Sequence, residues 1–277
     1  MIVRTNRGPN RRLPARWSGG PAEVSAQAGL GSPGETRTMI KVENLCKSFD
    51  GHTVLDGISF EISKGEVVAL IGGSGGGKSV LLKHVAGLMQ PDSGRVVIDG
   101  ADLRNIKREE LRRLRDRLGF LFQGGALFDS MTVYENVAFP LREKSKMKEQ
   151  EIRSRVLKEL ESVGLKGAED KYPSQISGGM VKRAALARAL VLDPEIMLFD
   201  EPTTGLDPVI GQAILELIDS CHKNISFTGI VVTHEIPRIF RFVDRVLMIY
   251  EGKLRVDASP DGLMRSDDPV VRTFLGE

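Results

Sequence analysis

Cysteine is nearly missing. The chain of 277 residues has two, Cys46 and Cys221. They stand far apart and form no C-x-x-C pattern. That argues against a disulfide framework and a zinc site, and it suits a reducing compartment. An excess of either charge is also missing. Lysine and arginine number 39 against 37 acids, a net charge of +2. Composition therefore gives no argument for a nucleic-acid partner. No apolar run approaches the roughly 18–20 residues needed to cross a bilayer. If the protein serves a membrane, another chain supplies the spans. No internal repeat appears, and residues 39–277 hold no low-complexity tract. What is present is 41% hydrophobic content. That suffices for a sizeable core, in one large domain or a domain with a subdomain.

Residues 1–38 differ from the rest. They hold six arginines, two acids and ten Gly or Pro residues. Without helical or alternating apolar spacing they are predicted to be a disordered tail, and the single tryptophan, Trp17, lies in it. No apolar stretch of about 7–15 residues follows the charges, so a secretory signal does not fit. A transit peptide would need an amphipathic helix, which Pro9, Pro14 and Pro21 spoil. A start codon upstream of the true start at Met39 is the simpler reading. Residues 39–277 are the expected globular domain. Strands are expected from Ile40 to Leu45 and Val54 to Ile62, then along Glu66-Val67-Val68-Ala69-Leu70-Ile71 and Val96-Val97-Ile98. Residues 124–175 carry helical spacing and no strand pattern, and a helix is expected from Gly178 to Leu190. A helical subdomain over about 124–190 thus interrupts an alternating chain. Strands separated by helices argue for an α/β fold with a mainly parallel sheet covered on both faces.

The strongest chemical signal is Gly72-Gly73-Ser74-Gly75-Gly76-Gly77-Lys78-Ser79. It fits the phosphate-loop pattern G-x-x-x-x-G-K-[ST], between an apolar strand and a helix. Glycines let the backbone wrap a phosphate, and the helix N-terminus favours its charge. Lys78 would neutralise the β- and γ-phosphates of a nucleotide, and the Ser79 hydroxyl would ligate Mg²⁺. A flexible glycine turn would not need Lys-Ser at its end.

A second element, Asp200-Glu201, follows the apolar run Ile196-Met197-Leu198-Phe199. Both motifs then leave the carboxyl ends of strands, the edge where open α/β sheets bind ligands. Asp200 would be a Mg²⁺ partner, and Glu201 would orient or deprotonate an attacking water. Two solvated acids at a strand end is the plainer reading of this pair alone.

With Gln123, Ser177-Gly178-Gly179, Gly205-Leu206-Asp207-Pro208 and His234 following in order, residues 39–277 resemble the nucleotide-binding subunit of an ATP-binding-cassette transporter. The resemblance implies a P-loop core with an antiparallel β portion and a helical subdomain. It implies Mg²⁺-dependent hydrolysis of ATP. It assigns catalytic roles to Glu201, His234 and Gln123, with Gln123 also touching Mg²⁺ beside Ser79 and Asp200. Phe49 would stack on adenine, unless it is a plain core residue. Gly72 to Ser79 and Val80 would hold the phosphates. Ser177, Gly178 and Gly179 would serve the ATP of a second subunit, and Asp207 would touch that subunit. One chain would then carry two half-sites, and two copies must pack head to tail as a homodimer.

Met180 and Val80 stand where most members of the family have Gln and Thr. With residues 122–133 they are similar to the ATPases of Mla/Mce-type phospholipid transporters. That branch implies an integral-membrane permease, an MCE-type substrate-binding protein, a small STAS-type subunit and no nucleic acid. It implies a peripheral position on the cytoplasmic face of the inner membrane. Leu127, Phe128 and Met131 would meet the permease or fill the subdomain core. An ATPase for another solute, and a soluble cassette of translation or repair, are the rival readings. The second usually carries two cassettes or a long insertion, which this chain does not show.

Overall fold

A computed structural model of the chain describes residues 37–276. The reading of residues 1–38 as a disordered tail falls outside those residues, apart from Arg37 and Thr38. The chain opens with β1 (Thr38–Phe49) and β2 (His52–Ser63), an antiparallel hairpin. Asp50 and Gly51 turn it with φ of +49° and +81°. Asp-Gly is the pair that accepts two left-handed residues. Next come β3 (Val67–Gly72) and α1 (Lys78–Val85). A small hairpin of β4 (Ser93–Ile98) and β5 (Ala101–Asp102) follows. Helix α2 (Arg108–Asp116) leads to β6 (Leu118–Leu121). Three helices then run without a strand: α3 (Val133–Lys144), α4 (Glu149–Ser162) and α5 (Gly178–Leu190). The remainder alternates through β7 (Ile196–Asp200), α6 (Pro208–Ile225), β8 (Thr228–Val232), β9 (Arg245–Tyr250) and β10 (Lys253–Ala258). Helices α7 (Pro260–Met264) and α8 (Pro269–Leu275) end it.

The strands form two sheets. One has four strands in the order β2-β1-β4-β5 and is antiparallel. The other has six, in the order β10-β9-β3-β8-β7-β6, parallel except for the edge strand β10. The parallel strands are apolar at consecutive positions because each face has its own cover. In β3, Val68 and Leu70 face the cluster shared with the antiparallel sheet, with Ile40, Leu45, Ile58 and Leu82. Val67, Ala69 and Ile71 face a second cluster with Leu186 of α5 and Ile214 and Ile218 of α6. β7 divides the same way, Leu198 to one side and Phe199 to the other. A third cluster joins Val133, Val137, Ile152, Val156, Leu160 and Ala184, and so holds α3, α4 and α5 together.

Four short pieces escaped the sequence reading: β5, the 3-10 turns Pro173–Gln175 and Arg238–Arg241, and α7. Each is too brief to show a period. α7 instead depends on a local cap, with Ser259 Oγ accepting from the Gly262 N–H at 3.1 Å and Pro260 in the first turn.

Candidate active site at the carboxyl ends of four strands

The phosphate loop leaves β3 through Gly72, whose φ is +145°. A Cβ there would lie 2.2 Å from the Ile249 carbonyl oxygen on β9, so no side chain fits. At the other end Gly77 caps α1 with φ of +86°, and a Cβ would meet Leu55 at 2.7 Å. No side chain caps α1, so its first N–H groups remain for another acceptor. Lys78 is buried, and its ammonium donates to the Gly72 and Gly73 carbonyls at 3.0 and 2.8 Å. Burial pulls its pKa down, against the opposing charges of Glu201 and Asp200.

Beside it, Ser79 Oγ donates to Asp200 Oδ1 at 2.8 Å. Asp200 ends β7 and is buried, and burial pushes its carboxyl above the usual range although Ser79 opposes this. Glu201 follows with φ of +48°, in the left-handed region that a glutamate seldom adopts. Its N–H donates to the Val232 carbonyl at 3.0 Å, which fixes that turn against β8. Its carboxylate gathers three partners. His234 Nε2 lies 2.7 Å from Oε1. Gln123 Nε2 and Thr204 Oγ1 donate to Oε2 at 2.8 and 2.9 Å. An ionised carboxylate only accepts, so His234 bonds it with Nε2 protonated.

Topology explains the meeting. β3, β8, β7 and β6 are neighbours in that order and parallel. The phosphate loop, His234, Asp200-Glu201 and Gln123 follow their respective carboxyl ends. The structure thus brings Lys78, Ser79, Asp200, Glu201, Gln123 and His234 to one edge, as the sequence predicts.

The remaining candidates stand apart. Ser177 caps α5, its Oγ accepting from the Met180 N–H at 3.3 Å. Gly179 packs so closely that a Cβ would lie 2.7 Å from Ile210. Ser177 and Gly178 remain exposed. Met180 packs on the helical cluster, an apolar seat for a residue that lacks an amide. Asp207 caps α6, its Oδ1 accepting from the Val209 and Ile210 N–H groups at 3.0 Å each. Phe49 is 40% exposed under the Lys47 ammonium, so it is no core residue. Val80 turns its side chain onto the first apolar cluster, which leaves only its backbone for a nucleotide. Leu127 packs into two clusters, whereas Phe128 is 43% exposed.

Sequence reasoning missed Thr204, Lys182, Arg188 and Asn136. Asn136 is fully buried, and its amide donates to the Phe128, Met131 and Thr132 carbonyls at 3.0–3.1 Å. A lone Asn among apolar helix positions was the available signal.

The ABC transporter family profile matches residues 55–204. A probable ribonucleotide transport ATP-binding protein of Mycobacterium leprae is 47% identical over 236 residues, 85% of this chain and 68% of that protein. The ATP-binding protein MlaF of the intermembrane phospholipid transport system of Haemophilus influenzae is 40% identical over 239 residues, 86% of this chain and 90% of that protein. A solved ATP-binding cassette, a dimer in a post-hydrolysis state bound to ADP and Pi, is 33% identical with a TM-score of 0.74 and covers 80% of this chain and 99% of that one.

Proposed function

The chain belongs to the ATP-binding-cassette (ABC) transporter family, as an ATP-binding subunit that hydrolyses ATP, and from that premise we propose that it drives a membrane permease moving phospholipid between envelope membranes. The observation that carries the lipid reading is the match to a phospholipid-transport subunit along 90% of that protein's length. The ribonucleotide name of another relative supports the second reading, transport of a different solute.

In the proposed mechanism the loop from Gly72 to Gly77 and the first turn of α1 wrap the phosphates with N–H groups. Lys78 turns from its loop carbonyls to the β- and γ-oxygens. Glu201 orients the attacking water and takes its proton, while Gln123 and His234 fix the carboxylate and the γ-phosphate. Positioning and electrostatics supply most of the acceleration. The Ser79 hydroxyl, the adjacent Asp200 carboxylate and the Gln123 amide are hard oxygen donors and fit Mg²⁺. Among the described residues no group of three or more His, Cys, Asp or Glu side chains could hold a metal, so Mg²⁺ would share its shell with phosphate and water. When bound, Mg²⁺ neutralises charge developing on the phosphates. Phe49 would stack on adenine, and Val80 would contribute its backbone N–H.

Each chain has one phosphate loop and one Ser177-Gly178-Gly179 segment. We infer a head-to-tail homodimer in which that segment covers the partner's ATP and Asp207 lies at the interface. The dimeric ATP-binding cassette, similar over 80% of this chain, supports a dimer. No helix among the described residues is long and apolar enough to cross a membrane. The subunit would sit on the cytoplasmic face, under a permease with MCE-type and STAS-type partners. An apolar groove of about 310 Å³ between the parallel sheet and α3 is lined by Phe120, Phe122, Phe128, Phe139 and Leu192. It suits a permease segment. The test is reconstitution with the partner proteins in vesicles. ATP-dependent movement of labelled phospholipid is expected; hydrolysis that responds only to a soluble solute would overturn the lipid reading.

A further inference from the structure

Helix α5 carries three cations that the sequence motifs do not use, and two of them, Lys182 and Arg188, reach the loop after β6. Lys182 lies one turn past Gly178-Gly179, and it is 6% exposed. Its ammonium donates to the backbone carbonyl of Gln123. Arg188 donates to the next carbonyls of the same loop, Gly125 and Ala126, at 2.8 Å each. The segment 123–126 is therefore held by its carbonyls to the side of α5. Its first residue reaches the other way, with the Gln123 amide on Glu201. An unbroken chain of contacts runs from the helix that begins at Ser177 to the carboxylate at the end of β7.

Stability does not account for Lys182. A buried ammonium facing a neutral carbonyl is expensive, and an apolar residue of similar volume is often as good or better. Burial indeed pulls its pKa down, while Glu201 and Asp200 push the other way. The cation is buried and seats one particular carbonyl.

We propose that Lys182 is a positioning residue for hydrolysis: it fixes the Gln123 backbone so that the Gln123 amide holds Glu201. Arg188 secures the rest of the loop. The proposal rests on the reading of Gln123 and Glu201 as catalytic.

The experiment is a double-mutant cycle of ATP turnover in the full chain assembled with its permease. Lys182→Met keeps the volume and removes the donor. Its kcat should fall about tenfold to a hundredfold, the scale of a lost charge-assisted hydrogen bond, with KM for ATP within about threefold of wild type. Gln123→Ala should be slow as well, and the double variant should be no slower than Gln123→Ala alone. Lys182→Arg, which keeps a donor, should recover most of the loss. Turnover of Lys182→Met within twofold of wild type, or losses that multiply in the double variant, overturns the proposal. If Lys182→Met does not fold, Lys182→Ala, which also lacks a donor, enters the same cycle with the same criteria. Wild-type turnover in Gln123→Ala would instead sink the catalytic reading of Gln123, an outcome the cycle separates from failure of the clamp.

Discussion

At the scale of single residues the site turns on Glu201. Its left-handed backbone and its three side-chain partners orient a carboxylate at the end of β7. Glu201→Gln keeps the shape and removes the charge. Steady-state hydrolysis should drop by about 10²–10⁴ while ATP still binds; turnover near wild type in the assembled transporter would remove Glu201 from its role. His84 makes a second residue-scale prediction. It is 1% exposed on α1, with Nδ1 2.8 Å from the Val80 carbonyl and no hydrogen-bond partner for Nε2. Burial lowers its pKa below the ordinary value of 6.5. The unfolded chain thus binds the proton more readily than the folded one. His84's contribution to stability is complete above the unfolded value and is lost as pH falls toward the folded one. Thermal unfolding between pH 7.5 and 5 should show His84→Leu gaining on wild type as the medium becomes acid. Parallel curves would contradict this. Residue-scale legibility was uneven. Lys78, Ser79, Asp200 and Glu201 announce themselves by spacing. Lys182 does not, because a lysine on a helix reads as solvated until its neighbours Leu186 and Leu190, at helical spacing, are seen to be buried.

At the scale of elements, α5 was readable to the residue because Ser177 caps it and its alanines and leucines face the core. α7 was unreadable, being one turn built on a local cap. The segment after β6 lies between. Its three large apolar residues suggested either an anchor or a core, and Leu127 and Phe128 divide between the two. Leu127, partly buried, packs against two core clusters, whereas Phe128 stacks edge-on with Phe139 at 5.1 Å and stays exposed beside the groove. Phe128→Ala should weaken permease binding by about 1–3 kcal/mol, as loss of an interface anchor does. Nucleotide binding by the isolated subunit should be unaffected. If the variant unfolds the isolated chain, Phe128 belongs to the core and the docking assignment is wrong.

At the scale of the whole molecule, the parallel sheet explains how motifs spread over more than a hundred residues converge. Adjacent strands deliver them to one edge. The order of the motifs made this legible, since each follows an apolar strand. The Ser177-Gly178 end of α5 is different: it is exposed, away from the carboxylate at the end of β7. A composite site built from two chains is the central claim, and a pair of mixed dimers tests it directly. In one dimer Ser177→Arg is on one chain and Lys78→Ala on its partner, so both lesions share a site and the other site is whole. In the second dimer both lesions are on the same chain, so each site carries one. The account predicts ATP turnover by the first dimer and none by the second. Equal turnover in the two, or activity only in the second, would contradict it.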